Sequence, residues 1–232
     1  MHNLALGIDV GTSAARAAAV DETGHRVAFA AIKMPFPLDR GGLVTQDPAI
    51  WWDATRRLFQ RLSRQIELKG IGAIAVTGTS GTILGVHANG RPVAPAQMYN
   101  SQASAKILRR IAAVAPSETV ARGPTTALAR AIALQNEPGV TRVIHQADWI
   151  SGQFSGRFDL TDENNALKTG YDAVTRQWPN WLAKAGMRPN LLPRVVPAGT
   201  ITGRIEHWRS AELGLAADVA IVAGTTDRKS VV

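Results

Sequence analysis

Three apolar runs at the start of the chain are separated by turns too short to contain a helix, and this constrains the fold more than any other feature. The runs are residues 4–9 (LALGID), 15–21 (ARAAAVD) and 25–34 (HRVAFAAIKM). Parallel neighbouring strands need a crossover of a dozen or more residues. The sequence therefore predicts that the chain begins with an antiparallel β-meander.

A helix is predicted to begin at Asp47, an N-cap residue that is followed by proline at the first helical position. Apolar side chains then repeat at helical spacing, at Ile50, Trp51, Ala54, Leu58 and Leu62. Gly70 is expected to end this segment. Similar patterns predict helices within residues 101–115, 124–136 and 145–156, whereas residues 36–46 are predicted to form a loop.

Two later runs, residues 71–78 and 218–227, are almost continuously apolar, which is typical of strands buried in a parallel sheet. Residues 82–95 predict a hairpin that turns at Asn89-Gly90. No linker, repeat or low-complexity tract interrupts the chain. The sequence therefore predicts one α/β unit with a mixed sheet, in which an antiparallel meander precedes parallel strands and helices flank the sheet.

Three of the apolar strands end in small turns that carry hydroxyl groups. Asp9 precedes Gly11-Thr12-Ser13, and similar turns occupy residues 77–82 and 223–227. Such turns direct backbone N–H groups at an anion, and a carboxylate oxygen is a ligand that Mg²⁺ prefers. Ordinary β-turns favour the same residue types, so each turn alone is ambiguous. Three of them together predict a ligand crevice at one edge of the sheet.

Composition excludes several classes of protein. The chain has no cysteine, and its five histidines lack the spacing of metal ligands. The net charge of +8 comes from scattered arginines, so we expect a solvated basic surface and not a nucleic-acid interface. No apolar run is long enough to span a membrane, and the N-terminus lacks the pattern of a signal peptide. We therefore expect a cytoplasmic protein with no membrane partner.

Known phosphate and nucleophile motifs are missing. The sequence contains neither a Walker-type P-loop nor a dinucleotide-binding G-x-G-x-x-G. Residues 78–82 miss the nucleophile elbow, because Thr82 stands where the last glycine is required. Asp148-Trp149 is a carboxylate beside an aromatic ring, an arrangement typical of sugar binding, although a plain helix-surface position is equally compatible with it. The polar residues 161–165 likewise read as either a functional segment or a loop.

Several stretches resemble the N-terminal half of the FGGY carbohydrate kinases, which belong to the actin-like sugar kinases. The similarity is collinear over residues 3–227. It is carried by GIDVGTSAARAAAVDETG, TQDPAIWWDA, IGAIAVTGTSGTILGVHANGRPV, QADWISGQFSG, TDENNALKTGYD, LLPRVVPAGTITGRI and AGTTD. The resemblance implies an actin-like (ribonuclease H-like) fold. It also implies ATP-dependent phosphorylation of the terminal hydroxyl of a ketopentose, with ATP and Mg²⁺ as cofactors.

The resemblance also assigns roles to residues. Asp227 would be the general base, Asp9 would hold Mg²⁺, and the turn of Gly11, Thr12 and Ser13 would bind phosphate. The sugar contacts it implies are Thr79, Ser80, Asn100, Asp148, Trp149 and Asp227. Arg16 lies in the second strand beyond the turn, and no phosphate contact is expected of it. The expected partners are a small sugar and ATP, and a homodimer is left open.

Within the family, residues 78–82 and Tyr99-Asn100 are similar to D-ribulose kinases. They differ from the N-Q-R-E-T of glycerol kinases and the G-Q-M-H-G of classical xylulokinases. Ser101 stands where relatives often have aspartate, so the alternatives of xylulose, ribitol and erythritol stay open. A non-catalytic actin-like lobe that binds a sugar or a nucleotide is an alternative of another class.

The end of the chain departs from the family pattern. The resemblance assigns residues 1–227 to the sugar-binding domain, after which relatives continue into a nucleotide-binding domain. Residues 228–232 match nothing in the family, and D-R-K-S-V-V can be encoded by the start of a common sequencing adapter. We therefore expect a non-native tail, a missing C-terminal domain and no kinase activity from these 232 residues alone.

Overall fold

The computed structural model describes residues 3–226. The strands of this part of the chain are, in order, β1 (Leu4–Val10), β2 (Ala14–Val20), β3 (Arg26–Lys33), β4 (Leu38–Arg40), β5 (Leu43–Gln46), β6 (Ile71–Gly78), β7 (Ile83–Val86), β8 (Ala96–Gln97), β9 (Arg142–His145), β10 (Leu160–Asp162), β11 (Arg194–Val196), β12 (Ile201–Arg204) and β13 (Ala220–Thr226). The helices are α1 (Pro48–Leu62), α2 (Ala105–Ala112), α3 (Ala127–Leu134), α4 (Gln146–Ser155), α5 (Glu163–Leu167), α6 (Trp181–Lys184) and α7 (His207–Leu213), with short 3₁₀ helices at Leu68–Gly70 and Pro189–Leu191.

The main sheet has six strands in the order β12-β13-β6-β1-β2-β3. β1, β2 and β3 pair antiparallel in sequence, which confirms the predicted meander. β6 lies parallel to β1 on one side and to β13 on the other. The mixed α/β sheet predicted from the sequence is therefore confirmed.

Helices α1 and α4 pack against this sheet, α1 over β2 and β3 and α4 over β6 and β13. α1 begins as predicted, because the Asp47 carboxylate accepts a hydrogen bond from the backbone N–H of Ala49 at 2.9 Å. It ends at Leu62, well before Gly70. Beyond it, the side-chain amide of Gln65 pairs with the backbone N–H and C=O of Phe29, and so covers part of the edge strand β3.

The prediction of a loop at residues 36–46 is wrong. This segment forms the hairpin β4–β5, which turns at two glycines of positive φ, Gly41 and Gly42. The hairpin belongs to a second sheet in the order β4-β5-β8-β7-β9. Backbone contacts hold it, because the Gln102 N–H donates to the Gly42 carbonyl and the Val44 N–H donates to the Ser101 hydroxyl.

Two apolar clusters stabilise the fold. The larger one lies between the main sheet and its helices and contains the buried face of α1, including Trp51, Leu58 and Leu62. The second cluster surrounds α3 and joins it to the second sheet. α2, α3 and α4 are shorter than the predicted segments but lie within them. Among residues 3–226, no helix has both the length and the apolar character needed to cross a bilayer.

Candidate functional site

The ends of β1, β6 and β13 lie side by side, since the three strands are parallel neighbours. In the register of the sheet, Val10 and Thr226 both lie opposite Gly78, one on each side. The three strands therefore end at the same edge of the sheet. This confirms the shared edge that the sequence predicts and gives the molecule its candidate site. Residues 223–226, which the sequence predicts as part of a turn, belong to β13.

Asp9 lies at this edge with two partners. The Thr77 hydroxyl donates to one carboxylate oxygen at 3.1 Å, and Arg16 Nη1 approaches the other at 3.3 Å. Asp9 and Arg16 are directly opposite each other in the antiparallel pair β1–β2. Sequence reasoning set Arg16 aside, although this pairing follows from the short turn between the strands. Arg16 therefore brings positive charge to the first turn.

The first turn, Gly11-Thr12-Ser13, is tight and well supported. The Gly11 N–H donates to the Ala14 carbonyl at 3.0 Å, and the Met34 N–H donates to the Ser13 carbonyl at 2.8 Å. A Cβ at Gly11 would lie 3.1 Å from the Ala14 carbonyl oxygen, closer than most side chains approach. A side chain at position 11 would need the Ala14 carbonyl to shift by a few tenths of an ångström, so the close turn favours glycine. Thr12 and Ser13 stay partly exposed beside Asp9.

The second turn, residues 79–82, is fixed by Gln146 at the start of α4. Gln146 Oε1 accepts hydrogen bonds from both the backbone N–H and the hydroxyl of Thr79, each at 2.9 Å. The Thr79 and Thr82 hydroxyls are 2.6 Å apart, and the Thr82 hydroxyl accepts from the Tyr99 N–H. Thr79 therefore holds the turn in shape, while its neighbour Ser80 faces a cavity.

That cavity has a volume of about 540 Å³ and is lined by both Ser80 and Asn100, two of the predicted sugar contacts. Arg130 forms part of its wall, buried and bonded to the backbone carbonyls of Gln97, Met98, Gly81 and Thr125. Lys168, at the end of α5, also lines it. The turn after β6 therefore connects the strand edge to a polar cavity large enough for a monosaccharide.

His145 lies buried close to this wall. Burial, together with the positive charges of Arg130 and Lys168, lowers its pKa to about 3. The imidazole is therefore neutral at physiological pH. The sequence analysis set His145 aside with the other histidines, which lack the spacing of metal ligands. Its electrostatic link to the cavity depends on long-range packing that no local motif reveals.

Asp148 and Trp149 are absent from the described residues that line the 540 Å³ cavity. The Trp149 side chain is 4% exposed, its indole N–H donates to the Gly90 carbonyl at 2.8 Å, and its ring packs edge-to-face on Trp51. A ring buried in this way has no face to offer a sugar. The Trp149 ring is instead part of the larger apolar cluster, between the main sheet and its helices.

Asp148 is buried on the other side of α4. Its carboxylate accepts a hydrogen bond from the His145 N–H at 2.9 Å and so caps the first turn of the helix. Burial raises the pKa of Asp148 well above its usual value, and the nearby Asp162 carboxylate raises it further. Asp162, which the sequence left in an ambiguous polar segment, caps α5 through the backbone N–H groups of Asn164 and Asn165. Burial raises its pKa as well.

The third strand end is that of β13, which the described residues follow to Thr226. The Asn164 side-chain amide donates to the Thr225 hydroxyl at 2.8 Å, which ties α5 to the end of this strand. A Cβ at Gly224 would lie 1.8 Å from the Val76 carbonyl oxygen, so β13 approaches β6 more closely there than a side chain permits. Asp227, the predicted general base, and residues 228–232 lie outside the described residues.

The residues at this edge fit a magnesium ion that keeps part of its water shell. Among residues 3–226 no group of three or more histidine, aspartate or glutamate side chains is arranged to hold a metal. Asp9 is a single, partly exposed carboxylate with a hydroxyl beside it. Mg²⁺ is commonly bound by one or two carboxylates together with waters and substrate phosphates. Asp9 is therefore a suitable protein ligand for Mg²⁺.

A mixed sheet with phosphate-type turns at one edge and a polar cavity beside them defines an actin-like lobe of the kind that sugar kinases use. Comparisons with known proteins agree. The family model described as "FGGY family of carbohydrate kinases, N-terminal domain" matches residues 4–232. The chain belongs to the FGGY family of carbohydrate kinases.

Curated relatives include the xylulose kinase of Streptomyces coelicolor, 28% identical over 97% of this chain and 48% of that protein. The erythritol kinase of Brucella abortus is 27% identical over 97% of this chain and 46% of that protein. Among solved structures, a xylulose kinase from Lactobacillus acidophilus matches with a TM-score of 0.85 at 20% identity, covering 97% of this chain and 48% of that one. The chain spans about half the length of the curated relatives it matches.

Proposed function

We propose that this chain is the sugar-binding half of an ATP-dependent kinase that phosphorylates the terminal hydroxyl of a ketopentose, with D-ribulose as the expected substrate. One observation supports this above the others. The turn after β6 lines the 540 Å³ cavity through Ser80, and the same strand has Asp9 and the Gly11 turn at its side. An acceptor in the cavity would therefore lie next to the groups that suit phosphate.

Each residue has a proposed part. Asp227, which follows Thr226 directly in sequence, would accept the proton of the attacking hydroxyl. The backbone of Gly11, Thr12 and Ser13 would bind phosphate oxygens, and Asp9 would hold Mg²⁺, which supplies charge neutralisation when bound. Ser80 and Asn100 would hold sugar hydroxyls. Catalysis of this kind depends on positioning and electrostatics, and a C-terminal nucleotide-binding domain would have to complete the site.

Asp148 and Asp162 are proposed to hold the elements of this site in place. Both carboxylates cap helices, and both helices approach β13. They would fix the end of β13, and with it the backbone that leads to Asp227. The proposed sugar contacts omit the Trp149 ring because it is buried.

Two other functions remain as alternatives. The relatives named as xylulose and erythritol kinases favour a kinase for another ketose or polyol. The lobe alone would also suit a non-catalytic sugar or nucleotide sensor, in which no general base is needed at position 227.

Titration calorimetry of the 232-residue chain with D-ribulose, D-xylulose and erythritol tests the location of the sugar site. We expect one ketopentose to bind, and Asn100→Ala to weaken its binding about tenfold, the effect of one lost hydrogen bond of about 1.4 kcal/mol. Asn136→Ala is the matched control, because Asn136 does not line the cavity. Equal binding by wild type and Asn100→Ala would contradict the proposed location.

A further inference from the structure

Ser80 and Asn100, the two proposed sugar contacts that line the cavity, lie on different segments of the chain. Ser80 belongs to the turn after β6, and Asn100 lies just after β8. Strand pairing links these segments only weakly, because β8 has two residues and pairs with β7 at a single position, Ile83 with Gln97. A binding site needs its groups held to within about 0.5 Å. The sheet alone therefore does not fix the distance between Ser80 and Asn100.

Arg130, on α3, joins the two segments through their backbones. Its Nη2 donates to the Gly81 carbonyl at 2.8 Å, one residue beyond the proposed sugar contact of that turn. Its Nη1 donates to the carbonyls of Met98 at 2.8 Å and Gln97 at 3.0 Å. The same Nη2 also donates to the Thr125 carbonyl at 3.0 Å. One planar group therefore connects the turn after β6, the end of β8 and the loop before α3.

The guanidinium of Arg130 has no donor left for a ligand in the cavity. Each Nη atom carries two hydrogens, and each bonds to two backbone carbonyls. The Nε atom is buried and has no hydrogen-bond partner among the described residues. Although Arg130 lines the cavity, its side chain is only 2% exposed. It can therefore act on a sugar only through the segments that it holds.

Stability alone does not require an arginine at this position. Burial lowers the pKa of Arg130 to about 10, so the guanidinium stays charged at neutral pH. Taking a charge out of water opposes folding, and the carbonyls satisfy the N–H groups without neutralising the charge. An apolar side chain of similar length would fill the same space without that cost. What arginine adds is a set of bonds in fixed directions.

We propose that Arg130 is the positioning residue of the sugar site. Through the carbonyls of Gly81 and Met98 it fixes the distance between Ser80 and Asn100, and so sets both the affinity for the sugar and the discrimination between ketopentoses. The inference rests on the proposed function in taking this cavity as the sugar site. Displacing either contact would cost about tenfold in Kd for each hydrogen bond lost to the sugar.

The test combines titration calorimetry with urea unfolding of the 232-residue chain, using D-ribulose, D-xylulose and erythritol. Arg130→Lys keeps the charge, but the three donors of one nitrogen cannot replace two Nη atoms that bond to four carbonyls. Arg130→Met buries no charge and is the second variant in case the first does not fold. We expect each variant to bind the preferred ketopentose at least about tenfold more weakly and to discriminate less between D-ribulose and D-xylulose.

Arg209→Lys is the matched control. Arg209 is 5% exposed, and its guanidinium donates to the Gln153 carbonyl and the Glu212 carboxylate. It is absent from the described residues that line the cavity. We expect Arg209→Lys to lower the urea midpoint and to leave the Kd for the sugar unchanged. This comparison separates a loss of stability from a loss of position.

A double-mutant cycle with Asn100→Ala gives a readout that a general loss of stability would not move. Independent effects on binding add as free energies, whereas effects that act through one another do not. If Arg130 positions Asn100, the expected cost of about tenfold for Asn100→Ala should fall below about threefold in the Arg130→Lys background.

The outcomes separate this inference from the proposed function. Wild-type affinity in both Arg130 variants, or an equal cost of Asn100→Ala in both backgrounds, would overturn the inference and leave the sugar site standing. Failure of both Arg130 variants to fold, while Arg209→Lys folds, would also overturn it, because Arg130 would then serve general stability. Failure of every carbohydrate to bind the wild-type chain would overturn both the inference and the proposed sugar site.

Discussion

At the scale of single residues, the site depends on pairings between residues far apart in sequence. Asp9 contacts Arg16 across the first turn and Thr77 on the neighbouring strand β6. The ion pair is exposed, so it contributes little to stability. Its consequence is local, because the positive charge of Arg16 favours an anion beside Asp9.

His145 gives a prediction for the pH dependence of stability. Its pKa falls from 6.5 to about 3 on folding, chiefly through burial. Between these two pH values the unfolded chain binds a proton at His145 that the folded chain does not, so the free energy of unfolding rises with pH. Above about pH 6.5 the histidine is neutral in both states and no longer opposes folding. The slope from one such group is up to about 1.4 kcal/mol per pH unit. Urea unfolding from pH 4 to 7 should show a smaller slope for His145→Asn than for wild type.

His25→Asn is the control for this measurement, since His25 is exposed. The raised pKa values of Asp148 and Asp162 act in the opposite direction, because their protonated forms favour folding and stability falls as pH rises through them. The comparison between wild type and variant isolates the histidine contribution. Identical slopes of unfolding free energy against pH for wild type and His145→Asn would refute the predicted contribution of His145.

At the scale of elements, β13 is shaped by a close approach to β6. The register between the two strands shifts between Val222 and Thr225, and Gly224 lies in that interval against the Val76 backbone. A bulge at the end of a strand redirects the residues that follow it. The close approach thus fixes the backbone at the described end of β13.

Gly224→Ala should be strongly destabilising, because its Cβ would lie 1.8 Å from a backbone oxygen that cannot move aside. We expect a loss of about 3 kcal/mol or more in the free energy of unfolding, measured by urea denaturation. Gly7→Ala is the matched control on β1, where the nearest atom to the new Cβ would be 4.0 Å away, and it should cost less than about 1 kcal/mol. Equal unfolding midpoints for the two variants would show that the close approach is not maintained.

The elements also show what sequence alone can predict. The meander and the shared strand edge follow from turn lengths and apolar runs. The second sheet does not, because β4 is three residues long and wholly exposed and β8 has only two residues, which leaves no period to detect. Asp148 and Trp149 are adjacent in sequence, but successive helical side chains point about 100° apart. One therefore caps the helix beside Asp162, and the other joins the core.

At the scale of the whole molecule, the described chain is one lobe with its candidate site at an edge. The Asp9 side chain and the Gly11 turn lie at the same edge of the sheet as the end of β6. Just beyond that end, Ser80 lines the cavity. The family relationship follows from the match over residues 4–232. Candidate site residues at Asp9, Gly11, Ser80 and Asn100 are predicted from the sequence and its resemblance to the family, whereas the positions of Arg130 and Asp162 emerge only from packing.

The central claim is that this lobe serves a sugar kinase. The most direct test is ADP release by a protein that joins this lobe to the C-terminal domain proposed above, assayed with ATP, Mg²⁺ and D-ribulose, D-xylulose or erythritol. We predict release above the ATP-only background with one of these carbohydrates, a loss of about 10²–10⁴-fold in Asp227→Asn, and no release by the 232-residue chain alone. Absence of carbohydrate-dependent ADP release, or equal release by Asp227→Asn, would contradict the claim.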